Sequence, residues 1–180
     1  MNAIVFLIDV VGGLYLSIIL LRLWLQMARA DFYNPMSQAV VKATQPVVGP
    51  LRRIIPSIGP LDTATLLFAY IVSCLIVTIK VFLVYNVIPV ADVLIAAGLQ
   101  LINKIYWLIF IVLIVRAILS WVSQGRNPIE LLLYQLTEPM LRPIRKVIPP
   151  MGGLDLSMLV LIIGLQFVKI LITDLIGPII

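Results

Sequence analysis

The fold class predicted for this chain is an all-α membrane protein, with four transmembrane helices from two tandem helix-loop-helix repeats and short interfacial helices in the cytoplasmic loops. Three observations predict it. The 180 residues are 62% hydrophobic and only 12% charged, with mean hydropathy +1.16, too little polar surface to cover a soluble domain of this size. Four apolar runs are each long enough to cross about 30 Å of hydrocarbon, which takes about 20 residues of helix. A proline-punctuated phrase is also written twice, "NPMSQAVVKATQPVVGPLRRIIPSIGPLD" from Asn34 and "NPIELLLYQLTEPMLRPIRKVIPPMGGLD" from Asn127, with 11 of 29 aligned positions identical.

The first span runs from Ala3 to Leu23. Its cations, Arg22 and Arg29, follow the apolar stretch, whereas a secretory signal carries its positive charge ahead of that stretch, so a retained span is expected despite the small residues around Ala30. The second runs from Thr63 to Tyr85 and holds thirteen Leu, Ile, Val or Phe between Leu66 and Val84. These are worth roughly −4 to −8 kcal/mol for insertion against about +3 for Lys80 at mid-membrane. The third and fourth spans are Leu99 to Leu119 and Leu156 to Ile176. Val87 to Gln100, broken by Pro89 and Asp92, reads as a connector into an elongated third helix or as a short re-entrant segment.

The repeated phrases lie between the first and second spans and between the third and fourth. Their matches are mostly Pro, Gly, Arg and Asp, which a bias toward aliphatic residues does not produce, so the chain is read as a duplication with units 1-86 and 87-180. An even number of crossings per unit makes the two units parallel and puts both loops on one side. Charge tests this independently. Arg22 to Pro56 carries five Lys or Arg and Arg116 to Pro149 another five, ten of the thirteen in the chain. The positive-inside rule therefore makes both loops cytoplasmic and both termini external, in a multi-pass membrane protein.

Within each phrase, Asn34 or Asn127 is placed to cap a short helix whose first residue is proline. Met36, Ala39, Val40 and Ala43 in one copy, and Ile129, Leu132, Leu133 and Leu136 in the other, give that helix an apolar stripe for the bundle or the headgroup layer. "TQP" and "TEP" are expected to stop it, since a residue before proline avoids the α region. Arg52, Arg53, Arg145 and Lys146 follow as cations for anionic phospholipid headgroups or a partner protein. Asp62 and Asp155 are placed to cap the spans after the loops.

Ionisable residues at depth form a third group. Asp9 lies 13 residues from Arg22, Lys104 12 from Arg116 and Lys169 14 from Asp155, about 18–21 Å of helix in each case. The expectation is an intramembrane polar cluster with Asp9 facing Lys104 or Lys169, and Lys80 with Asp174 at a separate height.

There is no histidine and one cysteine, Cys74. This removes intramolecular disulfides, Cys/His zinc sites and histidine-based triads, and no cofactor or metal site is expected. The net charge of +5 reads as topology rather than nucleic-acid binding.

These residues resemble the YggT family of small bacterial membrane proteins, which is built from two such units, each with an Arg-bearing helix, an Asn-Pro start, a "TEP" turn, a "PxRxxxP" stretch and "GxLD" before the next helix. The second copy, "RAILSWVSQGRNP" through "LTEPMLRPIRKVIPPMGGLDLS", is the closer match. The first departs at "TQP" and "GPLD", so a role for the loop acid Glu138 does not carry over to it. The resemblance implies no enzymatic activity and a place in osmotic or extracytoplasmic stress tolerance, or in potassium or osmolyte handling. Relatives in cyanobacteria and plastids are associated with cytochrome b6 maturation and nucleoid organisation. The expected function is a non-catalytic adaptor or assembly factor presenting basic loops. The alternative is a transport or channel component, which would need a homo-oligomer to enclose a pore.

Overall fold

A computed structural model describes residues 3–122, 127–148 and 156–176. Six helices account for most of them: α1 (Ala3–Met27), α2 (Pro35–Ile54), α3 (Thr63–Tyr85), α4 (Val90–Val122), α5 (Pro128–Arg145) and α6 (Leu156–Ile176). Among these, α1, α3, α4 and α6 are long and apolar enough to cross a membrane.

Local chemistry sets the ends. Arg29 closes α1 in the left-handed region (φ 51°), and the Ala30 N–H returns to the Leu25 carbonyl at 2.9 Å, satisfying one of the last orphan carbonyls. Asn34 and Asn127 cap α2 and α5, their side chains accepting from Met36 N and Ile129 N at 3.0 Å each. Gly59, at φ 60°, allows the tight turn in which Ile58 and Leu61 exchange both backbone hydrogen bonds. Asp62 then caps α3, accepting from Thr65 N at 3.3 Å, whereas Asp155 lies outside the described residues.

One expectation about boundaries is corrected. The loop helices do not stop at "TQP" and "TEP": α2 continues through Pro46 and Pro50, and α5 through Pro139 and Pro143. Each proline pair is one turn apart and lies on the exposed side, so the carbonyls freed by the missing N–H groups open outward rather than into a dry core. Val87 to Gln100 leads into an elongated third helix, as expected, and is not a re-entrant segment. Pro89 accepts the first helical bond, from Val93 N at 3.0 Å, and Asp92 sits favourably in the first turn, so α4 starts nine residues before Leu99.

α1 and α3 form the heart of the bundle, burying Leu16, Ile19, Leu20, Phe68, Ala69 and Ile76, with Val48 of α2 and Leu101 of α4 joining them. A second cluster brings Leu25 of α1 and Ala30, just beyond its end, against Val40 of α2 and Leu132 and Leu136 of α5. The two loop helices therefore meet at one end of the bundle. Asn34 Nδ2 donates to the Pro128 carbonyl at 2.7 Å, and Asp31 N donates to Gln135 Oε1 at 2.9 Å.

The stripe expected for α5 is largely buried at Leu132, Leu133 and Leu136, but in α2 the buried line is Ser37, Val40, Thr44 and Val48. Met36, Ala39, Ala43 and Val47, continued by Pro50 and Ile54, form an apolar face that stays exposed. The reason is polar: Thr44 has to face inward to meet a buried arginine.

Candidate functional site: arginines joining spans to loop helices

Arg22 near the end of α1 is only 3% exposed and Arg116 near the end of α4 only 7%, so both charges must be bonded internally to be tolerated. Arg22 Nη1 donates to Thr44 Oγ1 at 2.7 Å and Nη2 to Gln45 Oε1 at 2.7 Å. A further 3.4 Å contact runs from Nη1 to the Val41 carbonyl. Arg116 donates likewise to Thr137 Oγ1, lies 4.8 Å over the Tyr134 ring, and has Nη2 3.6 Å from Glu138 Oε2.

In both places the threonine hydroxyl donates back to the carbonyl four residues earlier, Val40 or Leu133, at 2.7 Å. This leaves its oxygen free to accept from the arginine. The sequence pairs Arg22 with Arg116 by position but gives no sign that they act as interior struts. The one signal in the sequence is the threonine two residues before each first proline.

The four loop cations divide into two kinds. Arg52 turns inward, its Nε 2.9 Å from Asp62 Oδ2, with Nη2 donating both to the same carboxylate and to Gln26 Oε1. Arg145 Nη1 donates to both Glu138 oxygens at 3.0 and 2.8 Å. Arg53 and Lys146 are exposed, and neither forms an ion pair among the described residues. Sequence reasoning grouped all four as an outward surface. The structure instead holds Arg52 against Asp62 and Arg145 against Glu138.

Asp62 is completely buried. Burial by itself raises a carboxyl pKa, but the hydrogen bonds from Arg52 and Thr65, together with the Arg52 charge, outweigh it and hold Asp62 below the ordinary carboxylate range. Arg52, bonded to both Asp62 and Gln26, thus joins the ends of α1, α2 and α3.

The outer ionisable residues are arranged differently from expectation. Asp9 pairs with Lys80, Oδ1 to Nζ at 2.7 Å, and not with Lys104 or Lys169. The error lies in the reference level. Arg52 bonds Asp62 and Gln26 together, so Asp62 is level with Gln26 rather than with Arg22. Measured from there, Asp9 is 17 residues up α1 and Lys80 is 18 residues up α3, about 25 and 27 Å. Lys104 instead lies beside Gly13, where an added Cβ would be 2.6 Å from its Nζ. Lys169 lies over the Tyr106 and Trp107 rings at 4.7 and 5.0 Å, a cation–π site that replaces a carboxylate partner.

A family model described as CCB3/YggT matches residues 1–84 and 95–176. The chain is 58% identical over 181 residues to a Vibrio alginolyticus protein named "Uncharacterized protein in proC 3'region", covering 99% of this chain and 98% of that one. It is 51% identical over 170 residues to "Uncharacterized protein YggT" of Escherichia coli (strain K12), covering 94% and 88%. An uncharacterized protein of Haemophilus influenzae is 41% identical over 160 residues, covering 89% and 86%. No solved structure matches.

Proposed function

The chain belongs to the CCB3/YggT family, and from that premise we propose that it is a non-catalytic adaptor or assembly factor of the bacterial inner membrane, serving osmotic or extracytoplasmic stress tolerance. In this reading two tandem helix-loop-helix units hold α2 and α5 side by side as interfacial helices on the cytoplasmic face. The termini are outside, by the charge asymmetry of the loops.

The observation that carries the reading is the bracing of the loop helices. Each is fastened to a span through a buried arginine, and they are fastened to each other through Asn34 and Gln135. A surface held this way loses little conformational freedom on binding. Its exposed cations Lys42, Arg53, Arg142 and Lys146 are available to anionic phospholipid headgroups, at roughly 1 kcal/mol each near the surface, or to an acidic face of a partner protein. The uncovered apolar face of α2 suits the headgroup boundary.

The transport alternative would use Asp9 as its ion-binding carboxylate, and the Lys80 ion pair weighs against that. Crosslinking followed by mass spectrometry, with wild type and the Arg53→Gln/Lys146→Gln variant, tests the choice. Loss of a specific partner with membrane insertion intact is the expected result. Unchanged partners, together with a potassium-flux defect in Asp9→Asn, would favour transport instead.

A further inference from the structure

We propose that the cleft between the ends of α1 and α2 binds a phosphoryl oxyanion, with Arg22 and Arg52 as its principal donors. It is a hollow of about 340 Å³ lined by Arg22, Gln26, Phe32, Val41, Gln45 and Arg52. A neighbouring hollow shares Phe32, Val41 and Gln45 with it and adds Lys42. Among the described residues, no acidic side chain lines either one.

The argument rests on a missing countercharge. Arg22 is almost fully buried, yet its acceptors, Thr44, Gln45 and the Val41 carbonyl, are all uncharged, and its Nε has no acceptor. The nearby carboxylate, Asp62, is engaged by Arg52 and by Thr65. In the other half of the molecule the same problem is solved internally, because Glu138 stands where the aligned phrase has Gln45. That carboxylate serves both Arg116 and Arg145. A buried guanidinium without a counterion is costly, and an anion entering the cleft supplies what Glu138 supplies opposite.

The donors suit a tetrahedral oxyanion. Guanidinium forks match phosphate geometry. Gln26 and Gln45 use their carbonyl oxygens on Arg52 and Arg22, which leaves both amide NH2 groups to donate. The cleft lies where α1 ends against the loop helix. The proposal rests on the adaptor reading only in placing that end at the membrane surface, where the phosphoryl group can come from a phospholipid or from soluble phosphate.

The test uses the full chain purified in detergent, titrated with inorganic phosphate and separately with phosphatidylglycerol, against chloride at matched ionic strength. Thermal stabilisation and native mass spectrometry serve as readouts. Stabilisation by inorganic phosphate supports the site with a soluble ligand; stabilisation by phosphatidylglycerol alone supports it with a lipid. In either case Gln45→Glu, which installs the internal carboxylate, should weaken binding at least tenfold while leaving the unliganded protein as stable or more so. Asp92→Asn, exposed in the first turn of α4 and not among the residues lining the cleft, should bind as wild type. No response to either probe, or undiminished binding in Gln45→Glu, overturns the proposal. The crosslinking result for Arg53 and Lys146 stands or falls separately.

Discussion

Replacing Asp62 by asparagine keeps a residue able to cap α3 but removes the charge that Arg52 and Thr65 share. Breaking a fully buried pair by removing one partner costs about 3–5 kcal/mol. Here the carboxylate is 0% exposed but the Arg52 side chain is 35% exposed, so the released cation recovers part of its hydration and about 2 kcal/mol is expected. Asp62→Ala loses the cap as well, worth about 1 kcal/mol more. The measurement is an SDS titration of helical ellipticity in mild-detergent micelles. A double-mutant cycle with Arg52→Gln should give a coupling of about 1–2 kcal/mol. The pH dependence follows from the direction of the Asp62 shift. A carboxyl whose folded pKa is depressed contributes stability that is present above its unfolded value of about 3.9 and is lost as pH falls through the folded value. Wild type should therefore lose stability below about pH 4 more steeply than Asp62→Asn. If Asp62→Asn costs under about 0.5 kcal/mol, or the cycle is additive, or the two acid profiles coincide, the account of the Arg52–Asp62 pair as the joint between three helix ends is wrong.

Three further outcomes are expected. The coupling between Asp9→Asn and Lys80→Gln should reach about 1 kcal/mol, while Asp9→Asn with Lys104→Gln should be additive; double-mutant cycles in vesicles measure both. Gly12→Ala places a Cβ 2.9 Å from Ile76 Cγ1 and 3.0 Å from its Cδ1, so it should destabilise the α1–α3 contact by about 1–3 kcal/mol, with Ile76→Ala recovering part of the loss on unfolding. In a Cys74→Ser background, single cysteines at Arg53 and Lys146 should react with an impermeant maleimide from the same side of sealed membranes. Labelling from opposite sides would contradict the meeting of α2 and α5.

What could be read from the sequence was whatever depends on distance along the chain. Span lengths, the Asn-Pro caps, the turn before Asp62 and the pairing of one loop with the other all follow from spacing and local chemistry. Azimuth and tertiary level could not be read. The ion pair of Asp9 was misassigned because helix rise fixes height only relative to a known floor, and that floor depended on Arg52 reaching both Gln26 and Asp62. The prolines misled for a similar reason. A residue before proline avoids the α region on average, yet Pro46 and Pro50 are tolerated because they lie on the exposed side of α2. The polar interior of that helix, Ser37 and Thr44, ran against its hydrophobic pattern, and only the buried Arg22 explains it.

The length of α4 has a mechanical consequence. Its 33 residues make a rod about 50 Å long, against a hydrocarbon slab of about 30 Å. Its early part lies beside the middle of α3, where Tyr70 Oη donates to the Leu94 carbonyl and Ser73 Oγ to the Ala97 carbonyl. Standing upright in such a slab, a rod held at that height would push apolar turns into water, so slanting is the arrangement that keeps them in hydrocarbon. In a thinner membrane the slope increases, and the leverage falls on Arg116, the guanidinium that anchors the lower end of α4 to the second loop helix.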